Sequence, residues 1–136
     1  MSVDRLLPTQ EAHDLIDLTR EIADKVLAPI VDEHEKAETY PEGVFATLGE
    51  AGLLSLPYPE EFGGGGQPYE VYLQVLEEIA ARWAAVGVAV SVHSLACHPL
   101  NAFGTDDQKQ RWLPEMLGGS LIGAYSLSEP QAGSDA

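Results

Sequence analysis

The sequence predicts an all-α fold that leads into a single short strand. Apolar residues recur at helical spacing through most of the chain, capping residues precede several of these stretches, and the last apolar segment, residues 121–127, is too short for a helix. With 136 residues, 45% of them hydrophobic, the chain can bury a core and is not disordered in composition. We expect about five helices in a helical domain over residues 1–119, then a strand and a loop over residues 120–136.

The first helix is predicted to begin after Thr9, whose hydroxyl can cap it. Its apolar stripe consists of Leu15, Leu18, Ile22, Val26 and Ile30. Pro29 is expected to kink or end this helix, because proline lacks the N–H that an interior helical position donates. The acidic run over residues 32–38 is interpreted as a solvated continuation or a frayed end.

The second and third helices lie on either side of a predicted glycine-rich loop. Pro41 suits the first turn of the second helix, and Gly52 its end. Residues 56–66, LPYPEEFGGGG, are predicted to be a loop; a phosphate-binding role is disfavoured because no strand precedes them. Pro68 can start the third helix. The apolar face of that helix consists of Tyr72, Val75, Leu76 and Ile79.

Residues 86–92 fit two kinds of element. Their valines alternate with small residues, which is the period of a strand, yet the whole stretch over residues 83–96 is apolar or small, as in a buried helix. Because its neighbours are helical, we predict a buried helix. The longest apolar run, residues 84–92, is too short to span a bilayer, so no membrane association is expected.

Residues 105–108 form a capping box, with a threonine at the cap and a glutamine three positions later. Pro114 is expected to bend or split the helix that follows, and Gly118 and Gly119 to end it. The predicted strand over residues 121–127 cannot be stable without partner strands. We therefore expect that the sequence is cut at the start of a second, β-containing domain.

Charge and cysteine content limit which binding partners and which cellular compartment are expected for this protein. The 22 acidic residues outnumber the 7 basic ones, for a formal charge of −15, which disfavours nucleic acid and anionic membrane surfaces. Cys97 is the single cysteine, so no intrachain disulfide can form, and the N-terminus lacks the pattern of a signal peptide. These features indicate a cytoplasmic protein.

Cys97 and His98 are adjacent, but adjacent helical residues do not face each other, so Cys97 is interpreted as a small buried residue and not a nucleophile. The remaining histidines, His13, His34 and His93, have no metal-ligand spacing and are interpreted as structural or surface residues. No metal site is expected.

The closing loop has more of the character of a binding site. Ser128 follows the predicted strand, and residues 132–134 are small, so that their backbone N–H groups can converge on an anion. Gly133 allows a ligand to approach closely, and the hydroxyls of Ser128 and Ser134 add donors. These residues alone are compatible with a site for a phosphate or a polar ring edge, but they favour an ordinary turn.

A family resemblance changes that balance. The segment YSLSEPQAGSD, residues 125–135, resembles the signature of the acyl-CoA dehydrogenases, Tyr-x-hydrophobic-Ser/Thr-Glu-Pro-x-Ala-Gly-Ser-Asp. LPYPEEFGGGG resembles the family's proline–acid–aromatic–glycine loop, and FGTDDQKQRWLPEMLGGSLIGAYSLSEP its capped helix and flavin-contacting strand. Ser126 and Gln131 depart from the residues frequent at their positions. The resemblance extends from about Pro41 to Ala136.

The resemblance implies an N-terminal helical domain, a middle β-domain and a C-terminal helical bundle, usually assembled as a homotetramer. This sequence would supply the first domain and the opening strand of the second. The implied activity, in fatty acid metabolism, is oxidation of an acyl-CoA thioester to the 2,3-enoyl-CoA. A carboxylate base takes the α-proton and FAD takes the β-hydrogen as hydride. An electron-transfer flavoprotein or another acceptor is the implied redox partner.

The resemblance also implies roles for single residues. Tyr125 and Leu127 would line the flavin and acyl cleft, and Ser128 would hydrogen-bond the flavin ring. Gly133 and Ser134 would meet the FAD pyrophosphate, and Tyr125 and Ser134 would contact substrate. The catalytic base is expected beyond residue 136, so no catalytic residue is assigned; Glu129 is interpreted as a structural anchor of the loop.

Two alternatives remain open. A flavin monooxygenase or a nitroalkane oxidase relative would have the same fold and similar loops. Taken literally, residues 1–136 also fit a truncated, non-catalytic helical module that mediates assembly, because they contain neither the base nor a sheet.

Overall fold

The structure is a computed structural model that describes residues 5–133, and it is predominantly helical, as predicted. Its α-helices are α1 (Gln10–Ile22), α2 (Val31–Ala37), α3 (Val44–Glu50), α4 (Tyr69–Arg82), α5 (Ala84–Phe103) and α6 (Asp106–Leu117). A π-helix, Ala23–Leu27, follows α1, and a 3-10 turn, Glu60–Phe62, lies in the glycine-rich loop. The all-α class is confirmed, with one α-helix more than the five expected.

Helix α1 begins where predicted, with the Thr9 hydroxyl accepting the Ala12 N–H at 3.1 Å. The chain then passes directly into the π-helix, in which Ala23 and Leu27 are buried. The Ala28 N–H donates to the Ala23 carbonyl at 2.9 Å, the five-residue spacing of a π-helix. The helical run stops at the turn that contains Pro29, so this proline ends the helix and does not kink it.

The acidic run that follows forms a helix of its own, α2, so its interpretation as a continuation or frayed end of α1 was wrong. That it is solvated was right, since no residue of α2 is buried. A turn ending at Ile30 separates the two helices. The indole N–H of buried Trp83 donates to the Glu35 carboxylate at 2.5 Å and fastens α2 to the junction of α4 and α5.

Helix α3 begins at Val44, three residues later than Pro41 predicts. Gly43 caps it with φ +83, a left-handed conformation that favours glycine. Gly52, also at positive φ, lies just past the end of α3, where the sequence placed the stop. Helix α4 starts directly after Pro68, as predicted.

Helix α5 confirms the helical prediction for residues 86–92. Val86 and Val90 are buried while Val88 is 63% exposed, which is the pattern of a helix and not of a strand. The helix has 20 residues and a mean hydropathy of 1.2, enough by length and composition alone to cross a bilayer. This is weak evidence, because core helices of soluble proteins meet the same criterion.

Helix α6 carries the predicted capping box. The Thr105 hydroxyl accepts the Gln108 N–H, and the Gln108 side chain accepts the Thr105 N–H. Pro114 lies inside α6 without splitting it. Gly119 follows the end of the helix at φ +80.

The core has two parts. The larger joins α1, the π-helix, α3, α4 and α5, and its centre includes Ile16, Leu27, Leu48, Val75 and Ile79. The smaller packs the second half of α5 against α6 and consists of Tyr58, Cys97, Leu113, Met116 and Leu117.

A charged cluster around Glu78 ties the N-terminal segment to α1 and α4. The Glu78 carboxylate is 6% exposed and accepts hydrogen bonds from Arg5 at 2.6 Å, Arg20 at 3.0 Å and Arg82 at 2.7 Å. Arg82 also donates to Asp24 of the π-helix at 2.7 Å. Burial raises the pKa of Glu78, but the hydrogen bonds from the arginines outweigh burial and hold its pKa below the usual value.

The strand predicted over residues 121–127 is absent, and residues 5–133 contain no strand at all. The segment is irregular, and the one β-bridge nearby is the isolated pair Glu129 and Ala132. The physical reason is the lack of a partner, because a strand exists only through the ladder it forms with a neighbour. The apolar composition of the segment is therefore no sufficient signal for a strand.

Candidate functional site

The candidate site is the terminal segment, residues 121–133, which leaves the end of α6 and runs beside α5. It is attached at its start by the Leu121 N–H, which donates to the Glu115 carbonyl at 3.1 Å. Two residues later, the Gly123 N–H donates to the Nδ1 atom of His93 at 2.9 Å. From there to Ser128 the segment is exposed to solvent.

His93 joins α5, α6 and the terminal segment. Its side chain is fully buried, and Nε2 lies 3.0 Å from the Met116 carbonyl oxygen in the last turn of α6. Burial lowers the pKa of His93, and the hydrogen bond to the Met116 carbonyl opposes this shift only in part. Burial therefore favours the neutral imidazole, and both ring nitrogens have hydrogen-bond partners.

Gly123 fits this contact because it has no side chain. A Cβ there would lie 2.6 Å from the Cβ of Ala96 and 2.9 Å from the Cε of Met116. Such distances are far inside van der Waals contact, so any larger residue would push the terminal segment away from α5.

The predicted binding residues lie together on the exposed part of the segment. Tyr125 is 46% exposed and Leu127 is 44% exposed, and the structure also exposes Ser128. Glu129 and Ala132 exchange backbone hydrogen bonds of 2.7 and 3.2 Å, which closes a tight turn with Ser128 just before it.

Gly133 stands just after this turn, and a Cβ there would meet nothing within 4 Å. Packing within the described residues therefore does not require a glycine at this position. Ser134, predicted to contact both the pyrophosphate and the substrate, lies outside the described residues.

The chemistry of the segment fits part of a flavin-dinucleotide site. A hydroxyl at Ser128, an aromatic ring at Tyr125 and exposed backbone amides suit a polar ring edge and its apolar face. Residues 121–133 contain no lysine or arginine, and their single charge is the Glu129 carboxylate. The cationic partners of a pyrophosphate would have to come from elsewhere in a complete site.

Sequence reasoning did not connect His93 to this segment. It classed His93 as structural or surface, and the contacts that give it a role come from residues 23 and 30 positions away. Local spacing contains no signal of such contacts.

Cys97 is buried as expected, and burial raises the pKa of its thiol to about 12, so it is not a nucleophile. Across residues 5–133 no group of three potential ligands could hold a metal ion.

Two surface cavities lie away from the predicted residues. One, of about 520 Å³, lies between the loop after α3 and the outer side of α5 and includes Tyr58, Ser91 and Leu95. The other, of about 290 Å³, lies between α2 and the start of α5 and includes Tyr40 and Trp83. Neither is lined by the terminal segment.

Comparison with known proteins agrees with the helical fold. The family model for "Acyl-CoA dehydrogenase, N-terminal domain" matches residues 9–120. The chain belongs to the acyl-CoA dehydrogenase family. The rat (Rattus norvegicus) mitochondrial short-chain specific acyl-CoA dehydrogenase is 41% identical over 128 residues, which are 93% of this chain and 31% of the rat enzyme.

Solved structures show the same fold. The butyryl-CoA dehydrogenase from Megasphaera elsdenii matches 99% of this chain and 36% of its own, with a TM-score of 0.86 and 30% identity. A chain from the structure of the electron transferring flavoprotein of Acidaminococcus fermentans matches 99% of this chain and 35% of its own, with a TM-score of 0.88 and 33% identity. This chain spans about a third of the length of the curated relatives it matches.

Proposed function

We propose that the chain is part of an FAD-dependent acyl-CoA dehydrogenase that oxidises an acyl-CoA thioester to the 2,3-enoyl-CoA. The observation that carries this proposal is the family's signature segment, which lies at the end of α6 with its aromatic, apolar and hydroxyl side chains exposed. Family membership over residues 9–120 supports it independently of that segment.

In this proposal, different residues of the terminal segment bind different parts of FAD. Tyr125 and Leu127 cover the flavin and one wall of the acyl cleft, and Ser128 hydrogen-bonds the polar edge of the flavin ring. Gly133 and Ser134 offer backbone and hydroxyl donors to the pyrophosphate, and Tyr125 and Ser134 contact the substrate. Bound FAD would supply the acceptor for the hydride that leaves the β-carbon.

Glu129 is assigned a structural role in the turn and not the role of base. Its backbone exchanges two hydrogen bonds with Ala132 and so closes the turn. The base that removes the α-proton is expected beyond residue 136.

The proposed partners follow from the family. They are an acyl-CoA substrate, an electron-transferring flavoprotein or another acceptor, and further copies of the chain in a homo-oligomer. The match to a chain from the electron transferring flavoprotein structure supports the choice of acceptor. We also propose a cytoplasmic location, which the low cysteine content of the chain suits.

A purified preparation from the complete natural gene tests the proposal. We expect a yellow protein with bound FAD that bleaches when an acyl-CoA is added without oxygen. A colourless protein that takes up no added FAD would end the flavoenzyme interpretation. A yellow protein that no acyl-CoA bleaches, but that consumes oxygen with another substrate, would favour the monooxygenase or nitroalkane oxidase alternative.

A further inference from the structure

The terminal segment has one internal attachment point on the helical part. Within residues 5–133, the backbone from Ile122 to Ser128 makes a single hydrogen bond, from the Gly123 N–H to His93 Nδ1 at 2.9 Å. The side chains at Ile122, Tyr125 and Leu127 are 44–47% exposed, so packing holds them weakly. The His93–Gly123 contact therefore determines where this part of the segment lies.

Nδ1 can accept a hydrogen bond because of a second contact, between His93 Nε2 and the Met116 carbonyl. The Met116 carbonyl can only accept, so the His93 Nε2 atom 3.0 Å from it carries the hydrogen. Neutral imidazole has one N–H, which leaves Nδ1 with a lone pair for the Gly123 N–H. The end of α6 thus selects the tautomer that can bind the terminal segment.

The surroundings of His93 favour this neutral form. Three helices contribute groups that face the imidazole. The Phe45 ring comes from α3 and the Met116 carbonyl from α6. The Cys97 thiol comes from α5 itself, and its Sγ is 3.7 Å from Nε2. Tyr58, in the same cluster as Cys97, hydrogen-bonds Ser94. Burial raises the pKa of both the Cys97 thiol and the Tyr58 hydroxyl, so neither supplies a charge to His93.

The position of Gly123 limits where the residues that follow can lie. Tyr125 and Leu127 come two and four residues after Gly123, so the chain can place them at most about 7 and 14 Å from it. Ser128 is five residues from Gly123, at most about 17 Å along the chain, so an error at the anchor carries through to it.

We propose that His93 is a positioning residue for the flavin site: its Nδ1 atom holds the Gly123 backbone and so fixes the placement of Tyr125, Leu127 and Ser128. This proposal rests on the proposed function, because it takes residues 125–128 to contact FAD. Its chemical requirement is an acceptor at the place of Nδ1.

Two substitutions separate the two contacts of His93. In His93→Asn the side-chain oxygen can replace Nδ1 and accept from Gly123, whereas His93→Gln reaches the position of Nε2 and keeps the Met116 contact. Val90→Ala is the control, since Val90 lies in the core on the same helix and makes no side-chain hydrogen bond. All variants are made in the complete protein, and circular dichroism and Tm report the folding of each.

We expect His93→Gln to weaken FAD binding about tenfold or more and to alter the visible spectrum of the flavin. His93→Asn should recover at least half of that loss on a logarithmic scale, and Val90→Ala should lower Tm without changing the spectrum. In the unmodified protein FAD should dissociate faster as pH falls through the lowered pKa of His93, because a protonated imidazole has no acceptor at Nδ1. In His93→Asn this acceleration should be lost.

Amide hydrogen exchange of residues 121–128 gives a readout that does not depend on FAD. Faster exchange in His93→Gln than in His93→Asn, at equal protection of α5, is the expected result. Equal exchange and equal FAD affinity in the two variants would overturn the positioning role. If the unmodified protein binds no FAD, the proposed function fails and with it the flavin part of this proposal, while the exchange rates still decide whether His93 holds the segment.

Discussion

Gly49 of α3 lies against the backbone of Gly118, so closely that a Cβ on Gly49 would be 2.2 Å from the Gly118 carbonyl oxygen. The contact joins α3 to the turn after α6, from which the terminal segment departs. Because both partners are backbone, neither can move aside as a flexible side chain would.

Gly49→Ala should therefore destabilise the protein. Helix propensity alone would favour alanine by about 1 kcal/mol, but the clash should reverse the sign and lower the free energy of unfolding by about 2–3 kcal/mol. Urea unfolding measures the change. Glu50→Ala, at the exposed neighbouring position, is the control and should stay within about 0.5 kcal/mol of the unmodified protein. An unchanged or higher stability for Gly49→Ala would mean that α3 and Gly118 are farther apart than described.

Gly133→Ala should separate binding from stability. Within residues 5–133 no atom lies within 4 Å of the added Cβ, so the free energy of unfolding should change by less than about 0.5 kcal/mol. If Gly133 approaches the pyrophosphate as proposed, the methyl group should weaken FAD binding by about tenfold, or 1.4 kcal/mol. Unfolding and flavin titration of the complete protein are the two measurements. Unchanged FAD affinity would remove Gly133 from the proposed site.

Glu78→Gln should be among the most destabilising single substitutions of a polar residue. It leaves Arg5, Arg20 and Arg82 without their shared carboxylate, and we expect a loss of about 2–3 kcal/mol at neutral pH. The figure is below that for a fully buried pair because Arg20 is 45% exposed. Glu77→Gln is a matched control: within residues 5–133 Glu77 pairs with Arg5 alone, and it is 69% exposed, so the substitution should cost about 0.5 kcal/mol or less. An equal loss of stability in the two variants would show that the burial of the Glu78 carboxylate does not strengthen its ion pairs.

The same cluster predicts a dependence on pH. The pKa of Glu78 is lower in the folded state than its ordinary value of 4.5, so its stabilisation is complete above that value. It is lost as pH falls from 4.5 through the lowered folded-state pKa. Unfolding measured in a series of acidic buffers should show a shallower decline for Glu78→Gln than for the unmodified protein. If the free energy of unfolding fell equally with pH in both proteins, Glu78 would not be the source of this pH dependence.

Cys97 should resist alkylation in the folded protein. Its side chain is fully buried and burial raises its pKa to about 12, so the thiolate is scarce and shielded. Labelling with iodoacetamide should be roughly 10³-fold or more slower than in denaturant, since it requires opening of the structure. Mass spectrometry follows the reaction. Rapid labelling under native conditions would indicate that the second half of α5 opens readily.

The 136-residue chain by itself should associate in solution. Leu121 is 40% exposed and Ile122 47% exposed, beside the exposed Tyr125 and Leu127, and such a contiguous apolar stretch favours contact with other chains. Sedimentation velocity should detect the association, and the double substitution of Leu121 and Ile122 by lysine should reduce it. Leu18→Lys on α1, at a position 39% exposed, adds charge elsewhere and should have little effect. A monomer at high concentration would contradict the expectation.

The helices that the sequence predicted well carry strong local signals. The Thr9 cap of α1 and the capping box of α6 depend on residues three and four apart, which a helix brings together. The predicted apolar stripe of α1 was wrong in part, because the buried residues are Ala12, Ile16 and Thr19 and Leu18 is 39% exposed.

Helix α2 has no such apolar period, and it is held by the contact of Glu35 with Trp83, 48 residues away. The pairing of His93 with Gly123 likewise depends on tertiary packing. The prediction of a strand over residues 121–127 was wrong for a related reason, because a strand forms only when a second strand pairs with it.

The π-helix Ala23–Leu27 holds one residue more than an α-helical turn would. The extra residue is taken up within that turn, so the residues after it stay in phase with the core, with Leu27 buried and Glu35 at the Trp83 indole. Loss of one codon within residues 23–27 should convert the π-turn to an α-turn and leave that phase unchanged, whereas loss of one codon in the middle of α1 would rotate the residues beyond it by about 100°. Genes that encode this helix should therefore tolerate a single-codon deletion at the π-turn better than elsewhere in α1.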